Sequence, residues 1–264
     1  MQRASEWRMP SDFCAKEVYC SFMTLSAAEV ARLAAAFDPR SAEAVLRWAL
    51  DKFHPRIALS NSLQTEDMVV LDIASRIEPK VRVFTLDTGR LHQETYDMMD
   101  RVRDRYGVKL EVLFPDAAEV QAMVESKGLN LFYESVENRH QCCGVRKVKP
   151  LQKMLAGLDA WVTGLRRDQW SSRTNIQKIE IDAANGEIIK VNPIADWTQQ
   201  QLDDYVKSHN VPQHALYAKG FTSIGCLPCT RATQPGENPR AGRWWWEQEG
   251  QKECGLHVAK SSGD

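Results

Sequence analysis

At 264 residues, 43% of them hydrophobic, with 34 basic against 35 acidic side chains, the chain suits one soluble α/β domain. A formal net charge of −1 gives no overall drive toward nucleic acid or a membrane surface. No apolar run approaches the roughly 18 residues of a membrane span. The N-terminus lacks the basic-then-apolar order of a signal peptide, so a cytoplasmic location is expected.

Residues 1–24 carry no clear periodicity and read as a flexible arm. Ser26-x-x-Glu29 is a capping box opening a helix over 26–37, and 41–53 reads the same way. A short apolar strand follows at 56–60, then a polar turn and an apolar helix over 66–77. The spacing next predicts a strand at 81–87, a helix around 92–106 and a strand at 109–114. Further helices are expected near 117–127 and 144–157, with a strand at 160–164. Residues 176–193 read as a hairpin turning at Asn185-Gly186, and a helix near 198–208 follows. Strands alternating with helices predict an α/β fold: a mainly parallel twisted sheet flanked by helices, spanning 25–237 as one domain. Residues 238–264 form a mobile C-terminal segment in this reading. Ligands of such sheets bind at the carboxyl ends of strands, so the turns after Ser60, Asp87 and Gly164 are the places to look.

"SNSLQTED" (60–67) joins a strand to a helix, where the hydroxyls of Ser60 and Ser62, the loop amides and the helix N-terminus can hold an anion. It lacks the double glycine of a pyrophosphate-binding loop. "LDTGRLHQETY" (86–96) follows the next strand and reads either as a plain polar turn or as a ligand loop. "TGLRRDQWSSR" (163–173) places Arg166, Arg167 and Arg173 after a third strand, where an anionic ligand competes with simple solvation.

Seven cysteines occur, at 14, 20, 142, 143, 226, 229 and 254. In a reducing compartment they serve more readily as ligands or nucleophiles than as disulfides. "CCGVRK" (142–147) and "GCLPC" (225–229) together offer four thiolates to one metal site. A tandem Cys-Cys suits tetrahedral zinc poorly, because adjacent side chains diverge. It can reach two irons of a cubane cluster if the backbone bends there, as at a helix start. In "NPRAGRWWWEQEGQKECGLH" (238–257), Arg240 and Arg243 are spaced to share a helix face. Cys254 lies near Lys252 and His257, and such cations lower a thiol's pKa.

Taken together, "LDTGRLHQETY", "CCGVRKVKPL", "SIGCLPCTR", "GRWWWE" and "KECGLH", in this order, resemble the assimilatory sulfonucleotide reductases, specifically the cluster-containing adenylyl-sulfate (APS) reductases. The resemblance runs from about Ile57 to His257. It implies an adenine-nucleotide α-hydrolase-like (PP-loop-like) fold, one [4Fe–4S] cluster per chain, and reduction of APS to sulfite and AMP with thioredoxin as electron donor. By the same carry-over, Cys142, Cys143, Cys226 and Cys229 ligate the cluster and Cys254 is the nucleophile. Lys147 lies between cluster and substrate, while Arg240, Arg243 and His257 surround the sulfate. Ser60, Ser62, Leu86, Thr88, Gly89, Gly164 and Arg173 hold the adenosine and phosphate. A homo-oligomer is expected, with no nucleic-acid or membrane partner. The alternatives are a 3′-phosphoadenylyl sulfate (PAPS) reductase, whose relatives usually lack the cluster cysteines, and a non-redox nucleotide-binding protein with structural zinc.

Overall fold

A computed structural model describes residues 25–169 and 173–247. Two helices open it: α1 (Ala27–Phe37), started by the Ser26/Glu29 capping box, and α2 (Ala42–Phe53), capped by Ser41. Then come β1 (Ile57–Ser60), α3 (Thr65–Ile77), β2 (Val83–Leu86), α4 (Gln93–Tyr106), β3 (Leu110–Leu113) and α5 (Ala117–Lys127). The next helix, α6 (Val136–Cys143), passes through a π-helical turn, Gly144–Val148, into α7 (Lys149–Leu155). The chain finishes with β4 (Ala160–Val162), β5 (Ile179–Asp182), β6 (Ile188–Val191) and α8 (Gln199–His209), the last with its own Thr198/Gln201 capping box.

The six strands order as β3-β2-β1-β4-β6-β5. All neighbours are parallel except β5, which pairs antiparallel with β6 across the expected hairpin. Gly186 supplies that turn's left-handed residue, at φ 83°. Alternation along the strands sorts the two faces. Ile57, Leu59, Val83, Ala160 and Val162 enter the large core with residues of α2, α3 and α8. Ala58, Phe84 and Trp161 face the other way, against Leu151, Leu155 and Leu158. Both faces are covered, as a parallel sheet requires. No helix among the described residues is long and apolar enough to cross a membrane.

From β1 the chain winds outward through β2 to β3, then returns to place β4 on β1's other side. The strand order therefore reverses between β1 and β4, and the loops leaving these two strands part to open a crevice. Two expectations need correction. The helix over 144–157 begins as the π turn, and α6 before it was not anticipated. The Cys-Cys pair accordingly lies at the end of α6, not at a helix start. No helix carries Arg240 and Arg243 either: the backbone there runs in turns, and Arg243 bridges to Thr230. Pro239 and Gly242 suit turns far better than a helix.

Candidate active site

The crevice is a cavity of about 390 Å³, within the size range of small-molecule sites. Ser60, Ser62, Leu86, Thr88, Lys147, Gly164, Arg173, Arg240 and Arg243, all anticipated from the sequence, line it. Gly89 stands just behind, at φ 70°, where a Cβ would lie 3.4 Å from Arg146 Nη1. Cys254 and His257 fall outside the described residues.

The β1 loop departs from expectation. Ser62 turns inward: its amide (2.8 Å) and hydroxyl (2.5 Å) both donate to Asp67 Oδ2. Asp67 Oδ1 accepts the Gly164 amide at 2.9 Å, which fastens the β1 loop to the β4 loop. The Ser62 hydroxyl thus donates to a carboxylate while the residue lines the cavity. Burial raises the Asp67 carboxyl above its ordinary value, although Ser62 and Gly164 donate to it. Asn61 organises the same turn, accepting the Leu63 amide at 2.7 Å while Leu63 takes φ 63°. Arg166 is committed as well, bonded to Glu66 (3.0 Å), Gln199 (2.7 Å) and the Trp197 carbonyl (3.1 Å). Lys147, Arg173, Arg240 and Arg243 also line the cavity, with Arg173 Nη1 on Gln169 Oε1 at 2.6 Å.

A second, smaller cavity of about 20 Å³ lies beside the first, lined by Cys142, Cys143, Cys226 and Cys229 together with Arg90, Arg139, Arg146 and Lys147. Lys147 alone, among the described residues, lines both. All four cysteines are free thiols. The π turn brings Cys142 and Cys143 there, at a kind of helix irregularity common at functional sites. Cys226 caps a single 3-10 turn that Leu227 and Pro228 shape, and the Leu227 amide donates to the Arg90 carbonyl at 2.8 Å. Thr88 joins the two cavities: its hydroxyl is 3.2 Å from Cys226 Sγ, and its carbonyl accepts Arg146 Nη1 at 2.7 Å.

Charge follows from this geometry. Burial pushes the Cys226 thiol up, yet Lys147, the Thr88 hydroxyl, Arg243 and Arg146 together hold it below the usual range. Burial raises Cys142, and burial with the neighbouring Cys226 pushes Cys229 up to about 12. No three Cys, His, Asp or Glu side chains among the described residues gather around one metal-ion position. The surroundings suit an anionic, sulfur-rich centre nonetheless. Four cations ring the thiols, and the buried Arg146 Nε and Trp244 Nε1 have no hydrogen-bond partner among the described residues, leaving donors for sulfur to accept.

The "GRWWWE" stretch braces both cavities. Trp244, 1% exposed, is clasped between two guanidinium groups, Arg139 at 4.6 Å and Arg243 at 4.7 Å from its ring. Arg139 forms a buried two-pronged pair with Glu247 at 2.8 and 2.9 Å. Arg243 Nη1 reaches Ser223 Oγ and the Ile224 carbonyl, both at 3.2 Å. Arg139 and Arg146 were not singled out from the sequence. Their positions, three before and four after Cys142, are the helical spacings that would have flagged them.

Residues 56–232 match the family described as the phosphoadenosine phosphosulfate reductase domain. The chain is 49% identical over 205 residues to an adenosine 5'-phosphosulfate reductase of Burkholderia cepacia, covering 78% of this chain and 82% of that one. To the protein of that name from Pseudomonas aeruginosa it is 41% identical over 231 residues, covering 86% and 85%. Among solved structures, a phosphoadenylyl-sulfate reductase from Candida auris superposes with a TM-score of 0.68 at 26% identity, over 78% of this chain and 98% of that one. A Candida glabrata FMN adenylyltransferase shares the fold alone, with a TM-score of 0.52 at 16% identity over 83% and 73% of the two chains. With its nucleotide-sized crevice at the sheet's reversal point, this chain belongs to the phosphoadenosine phosphosulfate reductase domain family.

Proposed function

We propose that this chain reduces adenylyl sulfate to sulfite and AMP in sulfate assimilation, through an S-sulfonate on Cys254 that thioredoxin resolves. One observation carries the reading: a nucleotide-sized cavity lined by Lys147, Arg173, Arg240 and Arg243 shares Lys147 with a cavity of four cysteines. The relatives named adenosine 5'-phosphosulfate reductase support the substrate.

The four thiolates of Cys142, Cys143, Cys226 and Cys229 would hold a [4Fe–4S] cluster, which when bound supplies a fixed charge centre beside the substrate and need not change redox state. Leu86, Thr88 and the β4 loop at Gly164 take the adenosine in this reading, and Arg173 the phosphate. Lys147, Arg240 and Arg243 face the sulfate, with His257 joining from the C-terminal segment. The Cys254 thiolate attacks the sulfate sulfur, the S–O bond to AMP breaks, and AMP leaves with the electron pair. A thiolate and an anionic sulfate about 4 Å apart repel by roughly 1 kcal/mol in water and about 4 kcal/mol at an effective dielectric of 20. Cations around the sulfate reverse that sign as charge builds in the transition state. Thioredoxin's first thiolate then attacks Cys254 Sγ, sulfite departs with the S–S electrons, and the second thiol closes thioredoxin's disulfide and restores the Cys254 thiol. Two thiols thus supply both electrons.

The test is mass spectrometry of anaerobic, iron-loaded protein given APS without thioredoxin. One SO3 group should appear on the Cys254 peptide, and reduced thioredoxin should remove it with release of one sulfite. Cys254→Ser should retain iron and AMP binding and form no sulfite. An adduct on Cys14 or Cys20, stoichiometric zinc with full activity, or equal kcat/KM for APS and PAPS would each overturn the corresponding part.

A further inference from the structure

Five of the six large hydrophobic side chains exposed among the described residues lie on the segments that flank the four-cysteine cavity: Leu129, Tyr133, Val136, Leu227 and Trp245. Short contacts link Leu129, Tyr133, Leu227 and Trp245, and Val136 opens the helix that packs against the Leu131–Tyr133 turn. The Tyr133 hydroxyl donates to the Pro228 carbonyl at 2.8 Å, and its ring meets Trp245 and Trp246 at 6.4 and 4.4 Å. Arg90 ties the other edge together, donating to the Leu129 carbonyl while its own carbonyl accepts the Leu227 amide. The sixth exposed side chain, Phe114, stands apart at the end of β3.

This surface flanks the point where the described chain stops. Trp245 is two residues before Glu247, which Arg139 holds in place. Cys254 is seven residues further on, so its sulfur is within about 25 Å of Glu247 at full extension. Residues 248–264 hold few apolar side chains, chiefly Leu256 and Val258, and match a patch built of aromatic and aliphatic groups poorly. A protein that must bring a thiolate onto Cys254 Sγ has to seat itself within that radius. An exposed apolar patch on a surface of otherwise polar character is a typical mark of such seating.

We propose that the Leu129–Tyr133–Val136–Leu227–Trp245 surface is where the dithiol electron donor docks, its own apolar rim covering the patch while its thiol meets Cys254. The inference rests on the S-sulfonate reading above and adds the site of contact to it. Its test uses the full, iron-loaded chain with Leu129→Glu/Val136→Glu, and with Leu129→Glu alone in case the pair misfolds. A carboxylate at position 136, in the first turn of α6, suits that helix end. Phe114→Glu is the control, since Phe114 and Leu129 are equally exposed at 64%.

The double variant should raise the KM for reduced thioredoxin at least tenfold. S-sulfonate formation from APS alone and turnover with dithiothreitol should stay unchanged, and Phe114→Glu should behave as wild type. An unchanged KM for thioredoxin overturns the proposal. So does a parallel fall in S-sulfonate formation, or a change in solution mass by light scattering, which would give the surface to a second copy of the chain. If wild-type protein forms no S-sulfonate, the mechanism itself fails, an outcome read before any thioredoxin is added.

Discussion

Arg243 owes its place to a missing methyl group. A Cβ on Gly225 would stand 2.5 Å from Arg243 Nη2 and 2.6 Å from its Cζ. The guanidinium cannot retreat, because the Trp244 ring lies against it and Ser223 and Ile224 hold Nη1. Space, not backbone conformation, fixes glycine here. Gly225→Ala should therefore displace the cation and raise the KM for APS about tenfold, a loss of roughly 1.4 kcal/mol, while visible absorbance of the iron-loaded protein is retained. Steady-state kinetics beside a spectrum checks this, and an unchanged KM would show that Arg243 does not face substrate. The sequence announced Arg243 through its basic neighbourhood. It gave no sign of the clasp around Trp244, because that contact joins segments about a hundred residues apart through side chains alone.

Among the elements, the loop after β4 meets the start of α3 with no room to spare. A Cβ on Gly164 would fall 2.5 Å from Asp67 Oδ1 and 2.8 Å from the Asp67 amide nitrogen and the Glu66 carbonyl carbon. Backbone in a helix's first turn yields little, so Gly164→Ala should cost roughly 3 kcal/mol of stability, the upper range for overpacking. It should also part the two loops that frame the cavity. Urea unfolding with AMP titration measures both, and wild-type values for both would refute the account. At this scale the sequence was informative wherever a local rule writes the structure. The Ser26/Glu29 box fixed the start of α1, and apolar runs between turn residues marked β1, β2 and β4. It was silent on α6, whose "VENRHQCC" carries almost no apolar stripe and relies on the Ser135 cap and on packing. The π turn was equally hidden, since an i→i+5 bond has no residue signature. The Ser62–Asp67 bond was hidden for a related reason: it depends on the path of the loop, in which Leu63 takes a left-handed φ.

For the whole molecule, acid should be the weak side. Burial holds His92 and His214 below their ordinary pKa, against Glu94 and with Lys219 or Arg101 adding to the effect. His214 also bonds Thr95 Oγ1 at 3.1 Å and accepts the Leu216 amide. The unfolded chain takes up protons on both as pH falls through about 6.5, while the folded chain stays neutral to lower pH. The folded state then binds fewer protons, so stability is full above that value and declines below it. Melting temperature should be level between about pH 7 and 8 and fall toward pH 5.5, with a shallower fall in His214→Gln. A flat profile across that window would exclude these histidines as the cause.

The clasp around Trp244 has a thermodynamic corollary. Arg139 borders the four cysteines and Arg243 borders the nucleotide crevice, so one indole ring is shared furniture for two binding events. If filling one cavity steadies the ring, filling the other becomes easier, and linkage makes the benefit mutual and equal. AMP should then protect the protein against iron loss to a chelator, and iron-stripped protein should bind AMP more weakly by the same factor. Chelator titrations with and without AMP, set beside AMP titrations with and without iron, would read the two factors independently, and a factor of one in both would show that the ring couples nothing. A nucleotide would in that case act as custodian of a metal centre it never touches.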